Sequence, residues 1–468
     1  MGSEATPPEV KLQRLRNSAK SAVEVSPIHA RLLAELIAQG RALEALERFE
    51  EARKLPANSA DALEALAFYA QRLGLHDVSN DYYRQASGLE PHNAKLLHNL
   101  ATSERSLGRT EEAIDACNRA IRWHSDPFPS ILLRSEFARA RHGANHVAEL
   151  RALLTSAQEP RQKMFLGYAL GKELHDLGDY DEAFPAFATA ARARRSQLQY
   201  DVQEDVKKLS RITDVFQGPY KSDASLEGPA DHIFVVGLPR TGTTLTERIL
   251  SGLNGVVSNG ETDNFSRALI MASPGHGGDI FSRAKQANLR KCKELYSRMA
   301  NPKNIKISTI DKLPLNYLYV GIIFAAIPGA RIIWVNRDPV DSCFAMWRTL
   351  FAEAYPFSYD FQDLAFYFDI YKKLQAHWRK AAGYGILEVD YAELVSSPSV
   401  VGQRMAEHCG LEWTEEAIDI SRVNTASWTA SAVQVREGIY TSSNGIWQQY
   451  ERHLAPLVSA LKPFGLIS

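Results

Sequence analysis

The chain has 468 residues, a formal net charge of −1, and 45% hydrophobic and 23% charged side chains. That length exceeds one ordinary core and predicts two or three domains of ordinary globular composition. A charge so close to neutral excludes general attraction to nucleic acid or anionic lipid and leaves only local basic pockets.

Four cysteines, Cys117, Cys292, Cys343 and Cys409, stand far apart, with neither a disulfide framework nor metal-ligand spacing. The N-terminus carries proline and charge where a signal peptide needs an apolar run. No uninterrupted stretch reaches the roughly 20 apolar residues of a membrane span. The expectation is a cytoplasmic protein with no metal, nucleic-acid or membrane partner.

In chain order, residues 1–25 read as a mobile tail with a partial helix. Gly40, Gly74 and Gly108 then recur at 34 residues, and Gly143 and Gly178 follow at 35. Twelve residues after each glycine stands Ala52, Ala86, Ala120, Thr155 and Ala190 in turn. Pro56, Pro91, Pro127 and Pro160 fall between successive units. Glycine permits a tight helix-to-helix turn, alanine lets paired helices approach, and proline ends each unit. Helical apolar patterns run between these markers, as in Leu97, Leu100, Ala101 and Leu107. The pattern resembles the tetratricopeptide repeat over residues 26–195, as five units of which the fourth is the most degenerate. Such an α-solenoid implies a concave surface for a peptide or protein partner. Residues 196–230 hold one further helix and then Gly218, Pro219, Ser222, Ser225, Gly228 and Pro229, a linker composition.

A second domain is predicted over residues 231–468. The apolar β run Ile233 to Val236 enters Gly237-Leu238-Pro239-Arg240-Thr241-Gly242-Thr243-Thr244, followed by an amphipathic helix with Leu245, Ile249 and Leu250. The glycine spacing is that of a phosphate-cradling Walker loop, but Thr243 replaces the lysine. Backbone N–H groups and the helix N-terminus make an anion site. The missing lysine argues against an ATPase or GTPase, and Arg240 supplies a positive charge instead. A second strand-to-helix turn, Ala330-Arg331-Ile-Ile-Trp-Val-Asn336-Arg337-Asp338-Pro339-Val-Asp341-Ser342, carries a cation at its tip. Its plain structural alternative is an Arg–Asp pair capping the helix.

Pro239 to Leu245 after a buried strand resembles the 5′-phosphosulfate loop of the sulfotransferases, most closely the protein-tyrosine sulfotransferase branch. The resemblance implies 3′-phosphoadenylyl sulfate (PAPS) as sulfuryl donor, with Pro239, Arg240, Thr241, Gly242, Thr243 and Thr244 around the phosphosulfate. Arg337 matches the arginine that binds the 3′-phosphate, with Ser342 nearby. Glu261, in Gly260-Glu261-Thr262, matches the glutamate base of that branch, and His276 is a rival because other branches use histidine. Lys312, in Asp311-Lys312-Leu313-Pro314, resembles the lysine that neutralises the bridging oxygen. Tyr391 aligns with a tyrosine at the nucleotide, and Ser431 with a serine on the phosphosulfate.

Sulfuryl transfer needs an in-line nucleophile, a positively lined leaving group and a base within hydrogen-bond reach. A phenol titrates near ~10 and a free carboxylate near ~4, so the base must act as the S–O bond forms.

Three features depart from the family pattern. Ala345 stands where a serine is usual, Ile446 precedes Trp447 where a basic residue is usual, and Arg348 is offset by one position. Arg436, Ser442 or Ser443 could substitute for these losses.

The resulting expectation is an α-solenoid followed by a three-layer α/β P-loop-like domain with a mostly parallel sheet, its strands near 233–237, 306–310, 331–335 and 386–390. The acceptor would be a protein or peptide tyrosine, a small phenol or a carbohydrate. The alternative is a non-catalytic repeat adaptor with a degenerate nucleotide domain.

Overall fold

The computed structural model describes residues 8–220, 228–275, 278–351, 353–420, 439 and 444–467. Ser431, His276, Arg436, Ser442 and Ser443 therefore lie outside the described residues. The chain packs as two compact units: residues 8–138 with 297–304, and the described residues of 139–296 and from 305 onward.

The first unit is built from helices α1 (Pro8–Lys20), α2 (Pro27–Ala38), α3 (Ala42–Ala52), α4 (Ala60–Arg72), α5 (His76–Leu89), α6 (Ala94–Ser106), α7 (Thr110–Trp123) and α8 (Phe128–Phe137). Short polar residues start the inner helices. Ser59 accepts from the Ala62 N–H ahead of α4, and Asn93 from Lys95 and Leu96 ahead of α6. The turn glycines Gly40, Gly74 and Gly108 have φ of 65°, 78° and 81°, the left-handed conformation that their spacing predicted. Ala52, Ala86 and Ala120 are fully buried, which lets the paired helices close on each other. Leu12 of α1 joins Leu32, Leu33, Leu36 and Phe49 in one apolar cluster, so the helix in the N-terminal tail is packed down.

The second unit begins with α9 (Val147–Ser156), α10 (Pro160–Leu177), α11 (Tyr180–Arg195) and α12 (Val202–Val215). Gly167 and Ala190 bring α10 and α11 together: a Cβ on Gly167 would stand 2.8 Å from the Ala186 carbonyl oxygen. Thr155, the odd residue in the alanine series, is exposed.

The same unit continues into a five-stranded sheet of order β2-β3-β1-β4-β5. Its strands are β1 (His232–Gly237), β2 (Val256–Ser258), β3 (Ser308–Asp311), β4 (Arg331–Asn336) and β5 (Ile386–Asp390), and every pairing is parallel. Helices α13 (Thr243–Ser251), α14 (Asn264–Ala272), α15 (Ile280–Lys285), α16 (Leu289–Ala300), α17 (Val320–Ala326), α18 (Pro339–Trp347) and α19 (Phe361–Ala382) lie between the strands, and α20 (Tyr391–Ser396) and α21 (Pro398–Cys409) follow β5.

Alternate side chains of each strand feed opposite layers. Ile233, Val235, Ile333 and Val335 pack with Ile249, Leu250, Val401 and Met405 of α13 and α21. On the other face Phe234 meets Phe265 and Tyr296, and the Trp334 indole donates to the Tyr371 hydroxyl of α19. Helices on both faces of a parallel sheet give the three layers. Central β1 lies between β3 and β4, so the chain changes direction there and opens a crevice at the C-terminal strand ends. Among the described residues, no helix is long and apolar enough to cross a membrane.

Candidate active site

Each of the five strands ends in a segment that carries a residue singled out by the sequence. Pro239 to Thr244 follow β1, Glu261 follows β2, Lys312 follows β3, Arg337 and Ser342 follow β4, and Tyr391 follows β5. Parallel pairing puts all five ends along one edge of the sheet.

The loop after β1 is held in a demanding backbone shape. Arg240 has φ 67°, unusual for a residue with a side chain, and Gly242 has φ 105°. A Cβ at Gly242 would stand 2.3 Å from Cδ2 of Tyr391, so only glycine fits beneath that ring. Thr241 is buried and its hydroxyl donates to the Leu238 carbonyl at 2.7 Å, closing the loop on itself. Helix α13 starts at Thr243 with no side-chain cap. Its first N–H groups carry the partial positive charge of a helix start, so they suit an anion. Helix α18, after β4, differs: Asp338 accepts from the Asp341 N–H at 2.9 Å and caps it.

Arg337 ties these two loops together. One guanidinium nitrogen donates to the Arg240 carbonyl at 2.9 Å, another lies 3.3 Å from Asp341, and the group sits 4.8 Å above the Tyr391 ring. Its side chain is only 6% exposed. Asp341 is fully buried and also accepts from Gly445 N at 2.7 Å and Trp447 N at 3.4 Å, which brings the segment around Ile446 to the same place. Ser342 is buried too, its hydroxyl donating back to the Arg337 carbonyl. Ala345, one turn further along α18, is buried.

Arg348, the offset arginine, donates to Nε2 of His175 on α10 at 2.9 Å, and Nδ1 of that ring lies 2.8 Å from the Tyr450 hydroxyl. Burial holds the His175 imidazole well below its usual range, so it is neutral. With Nε2 accepting from Arg348, Nδ1 carries the hydrogen and donates to Tyr450.

At the β2–β3 end lies a charged cluster. The Lys312 side chain is 1% exposed and its ammonium sits 2.5 Å from Oε1 of Glu261 and 3.5 Å from Oε2 of Glu247. Glu261 is 44% exposed, so it is the member that faces outward. The Glu247 carboxylate also accepts the Ser258 hydroxyl, and Ser258 Oγ accepts the Gly260 N–H at 2.9 Å. Lys312 N donates to the Gly260 carbonyl at 3.1 Å, locking the strand end to the loop that presents Glu261.

Beside Lys312 in sequence, Asp311 is completely buried with Asn316 donating to it at 3.0 Å, and burial lifts its carboxyl to about 8. Tyr355 has a left-handed backbone, φ 54°, and its phenol is pushed well up by burial and by the Glu261 carboxylate. Its ring meets Phe351 and Phe357 at 4.9 and 6.0 Å, forming an aromatic wall in the field of Glu261.

Sequence reasoning passed over Glu247, Tyr355 and the anchoring role of Asp341. Glu247 had a weak signal, as a carboxylate about one turn into the helix that leaves the phosphate loop. Tyr355 had none, since Glu261 is brought near it only by the fold. Among the described residues no group of three His, Cys, Asp or Glu side chains is placed to hold a metal ion.

Residues 231–415 match the sulfotransferase family model, and residues 94–126 and 168–197 match the tetratricopeptide repeat. The chain thus carries a stretch that matches the sulfotransferase family together with tetratricopeptide repeats. An uncharacterised protein of Aquifex aeolicus is 27% identical over 398 residues, covering 82% of this chain and 52% of that protein. An uncharacterised protein of Sinorhizobium fredii is 35% identical over 82 residues, covering 18% of this chain and 45% of that one. The chain spans about half the length of these relatives. Among solved structures, the sulfotransferase domain of the Synechococcus olefin synthase is 15% identical, covering 53% of this chain and 98% of that one with a TM-score of 0.37.

Proposed function

We propose that this chain is a PAPS-dependent O-sulfotransferase. The observation that carries the reading is the Arg337–Arg240 hydrogen bond, which unites the loops after β1 and β4 in one crevice. A doubly phosphorylated adenosine needs two anion cradles that face a common cavity. The uncapped start of α13 fits a phosphate, and glycine at 242 lets the Tyr391 ring close over the loop beside it.

PAPS supplies the sulfuryl group and a bridging oxygen that gains negative charge as transfer proceeds. Arg240 and the N–H groups of Thr243 and Thr244 hold the phosphosulfate, helped by Ser431 on the family resemblance. Arg337 and Tyr391 shape the nucleotide end, with Ser342 supporting Arg337 from below. Glu261, the outward carboxylate, takes the acceptor's proton as the new bond forms. Lys312 meets the charge on the leaving oxygen, which requires it to exchange its contact with Glu261 for the donor. The aromatic wall of Phe351, Tyr355 and Phe357 favours a phenolic acceptor, with a peptide tyrosine ranked first. The repeats would then present a peptide or protein partner.

Incubation with labelled PAPS and separate panels of tyrosine peptides, phenols and glycans tests the reading. Label should pass to a phenolic acceptor; transfer to glycans alone would remove the phenolic assignment, and no transfer to any would remove the enzyme. A second reading, a repeat adaptor with an inactive nucleotide domain, draws on the nearly complete enclosure of Arg337. Calorimetry with adenosine 3′,5′-bisphosphate separates the two, because an adaptor has no need to bind it.

A further inference from the structure

Lys312 presents a problem that one carboxylate cannot solve. An ammonium that is 1% exposed needs a partner at all times, because an unpaired buried charge is strongly disfavoured. If Glu261 were its only counter-ion, Lys312 would stand unpaired between parting from Glu261 and meeting the charge that develops on the donor's bridging oxygen. Glu247, 12% exposed and 3.5 Å away, is a second counter-ion that does not have to move. The same carboxylate takes the Ser258 hydroxyl, and Ser258 Oγ accepts the N–H of Gly260, the residue before Glu261. Glu247 itself rides on α13, the helix that starts at the phosphate loop. One side chain therefore links the anion cradle, the lysine and the loop of the proposed base.

We propose that Glu247 is a positioning residue for sulfuryl transfer, keeping Lys312 paired while Glu261 works and fixing the loop that presents Glu261. The proposal rests on the sulfotransferase reading above. Glu247 touches neither donor nor acceptor; it acts through Lys312 and Ser258. It should therefore govern turnover far more than donor affinity, because what it sets is the geometry of the reacting groups.

The test compares the full-length wild type with Glu247→Gln and Ser258→Ala in three measurements. Hydrogen exchange followed by mass spectrometry should show residues 258–261 exchanging about tenfold faster in both variants, with β1 and β4 unchanged. Calorimetry with adenosine 3′,5′-bisphosphate should give affinities within about threefold of wild type, and melting temperatures should stay within a few degrees. With labelled PAPS and the acceptor found in the panels above, Glu247→Gln should lower kcat about thirtyfold at nearly constant donor KM. Ser258→Ala, which loses only the loop anchor, should lower kcat less.

Unchanged exchange in the 258–261 loop, or retained kcat in Glu247→Gln, would overturn the proposal. So would a loss of bisphosphate affinity parallel to the loss of kcat, which would make Glu247 a support of the phosphate loop. A wild type that binds no bisphosphate would instead remove the sulfotransferase reading, and the exchange arm would still decide whether Glu247 holds the loop.

Discussion

At the β1–β4 end of the crevice, the contacts are directional and buried: Arg337 to the Arg240 carbonyl, Asp341 to two backbone N–H groups, and the Tyr391 ring on Gly242. At the β2–β3 end, two carboxylates share the Lys312 ammonium, and one of them, Glu261, is half exposed. The first arrangement is a fixed frame whose backbone shape is over-determined by its neighbours. The second can change partners, since Glu247 stays beside the Lys312 ammonium when the outward-facing Glu261 turns away. A reaction that must hold a polyanion still while a proton and a bridging oxygen change charge needs both kinds of site.

The largest effect that would sharpen this contrast comes from the exchangeable end. Glu261→Ala should leave bisphosphate binding near wild type and lower labelled-sulfate transfer roughly a thousandfold, as expected for a lost general base. Retained turnover would remove Glu261 from that role. At the fixed end the pattern should reverse. Gly242→Ala puts a methyl into the Tyr391 ring and into a disfavoured φ, so titration calorimetry should find bisphosphate binding weakened about a hundredfold. Arg337→Lys keeps a charge but cannot reach the Arg240 carbonyl, Asp341 and the Tyr391 face together. An affinity loss of about tenfold is expected there, and kcat at saturating donor should fall less than affinity.

The smallest effect concerns Asp311, beneath Lys312. Its folded carboxyl titrates at about 8, far above the ordinary value of 3.8. The folded chain therefore holds a proton that the unfolded chain releases, so stability falls as pH rises from about 4 to about 8. Asp311→Asn should flatten that fall and leave the variant more stable than wild type at pH 9, by about 1–3 kcal/mol. Parallel melting curves for the two proteins across pH 5–9 would place Asp311 elsewhere in the energetics.

The contrast also explains what could be read from the residues. Glycine, alanine and proline at a 34-residue period mark the repeats because each acts through its own backbone or size, and the φ values of Gly40, Gly74 and Gly108 followed. Strands β1, β4 and β5 were legible as apolar runs, and all their pairings proved parallel. Strand β2 was not: it has three residues, and Val257 is 47% exposed on the sheet edge. The family resemblance singled out Arg240, Glu261, Lys312, Arg337 and Tyr391, and each stands shortly after a strand. Glu247 and Tyr355 escaped because their surroundings exist only after folding, when α13 packs beside β2 and Tyr355 comes into the field of Glu261. Periodicity was equally silent on compactness, since α9 to α12 belong to the same compact unit as the sheet while the earlier repeats form another.

Everything proposed for the site depends on two loops serving one ligand with a phosphate at each end. Titration of the wild-type chain with adenosine 3′,5′-bisphosphate and, separately, with 5′-AMP measures that directly. One bisphosphate should bind per chain, at least tenfold more tightly than 5′-AMP. Equal affinity for the two, or no binding of either, would contradict it.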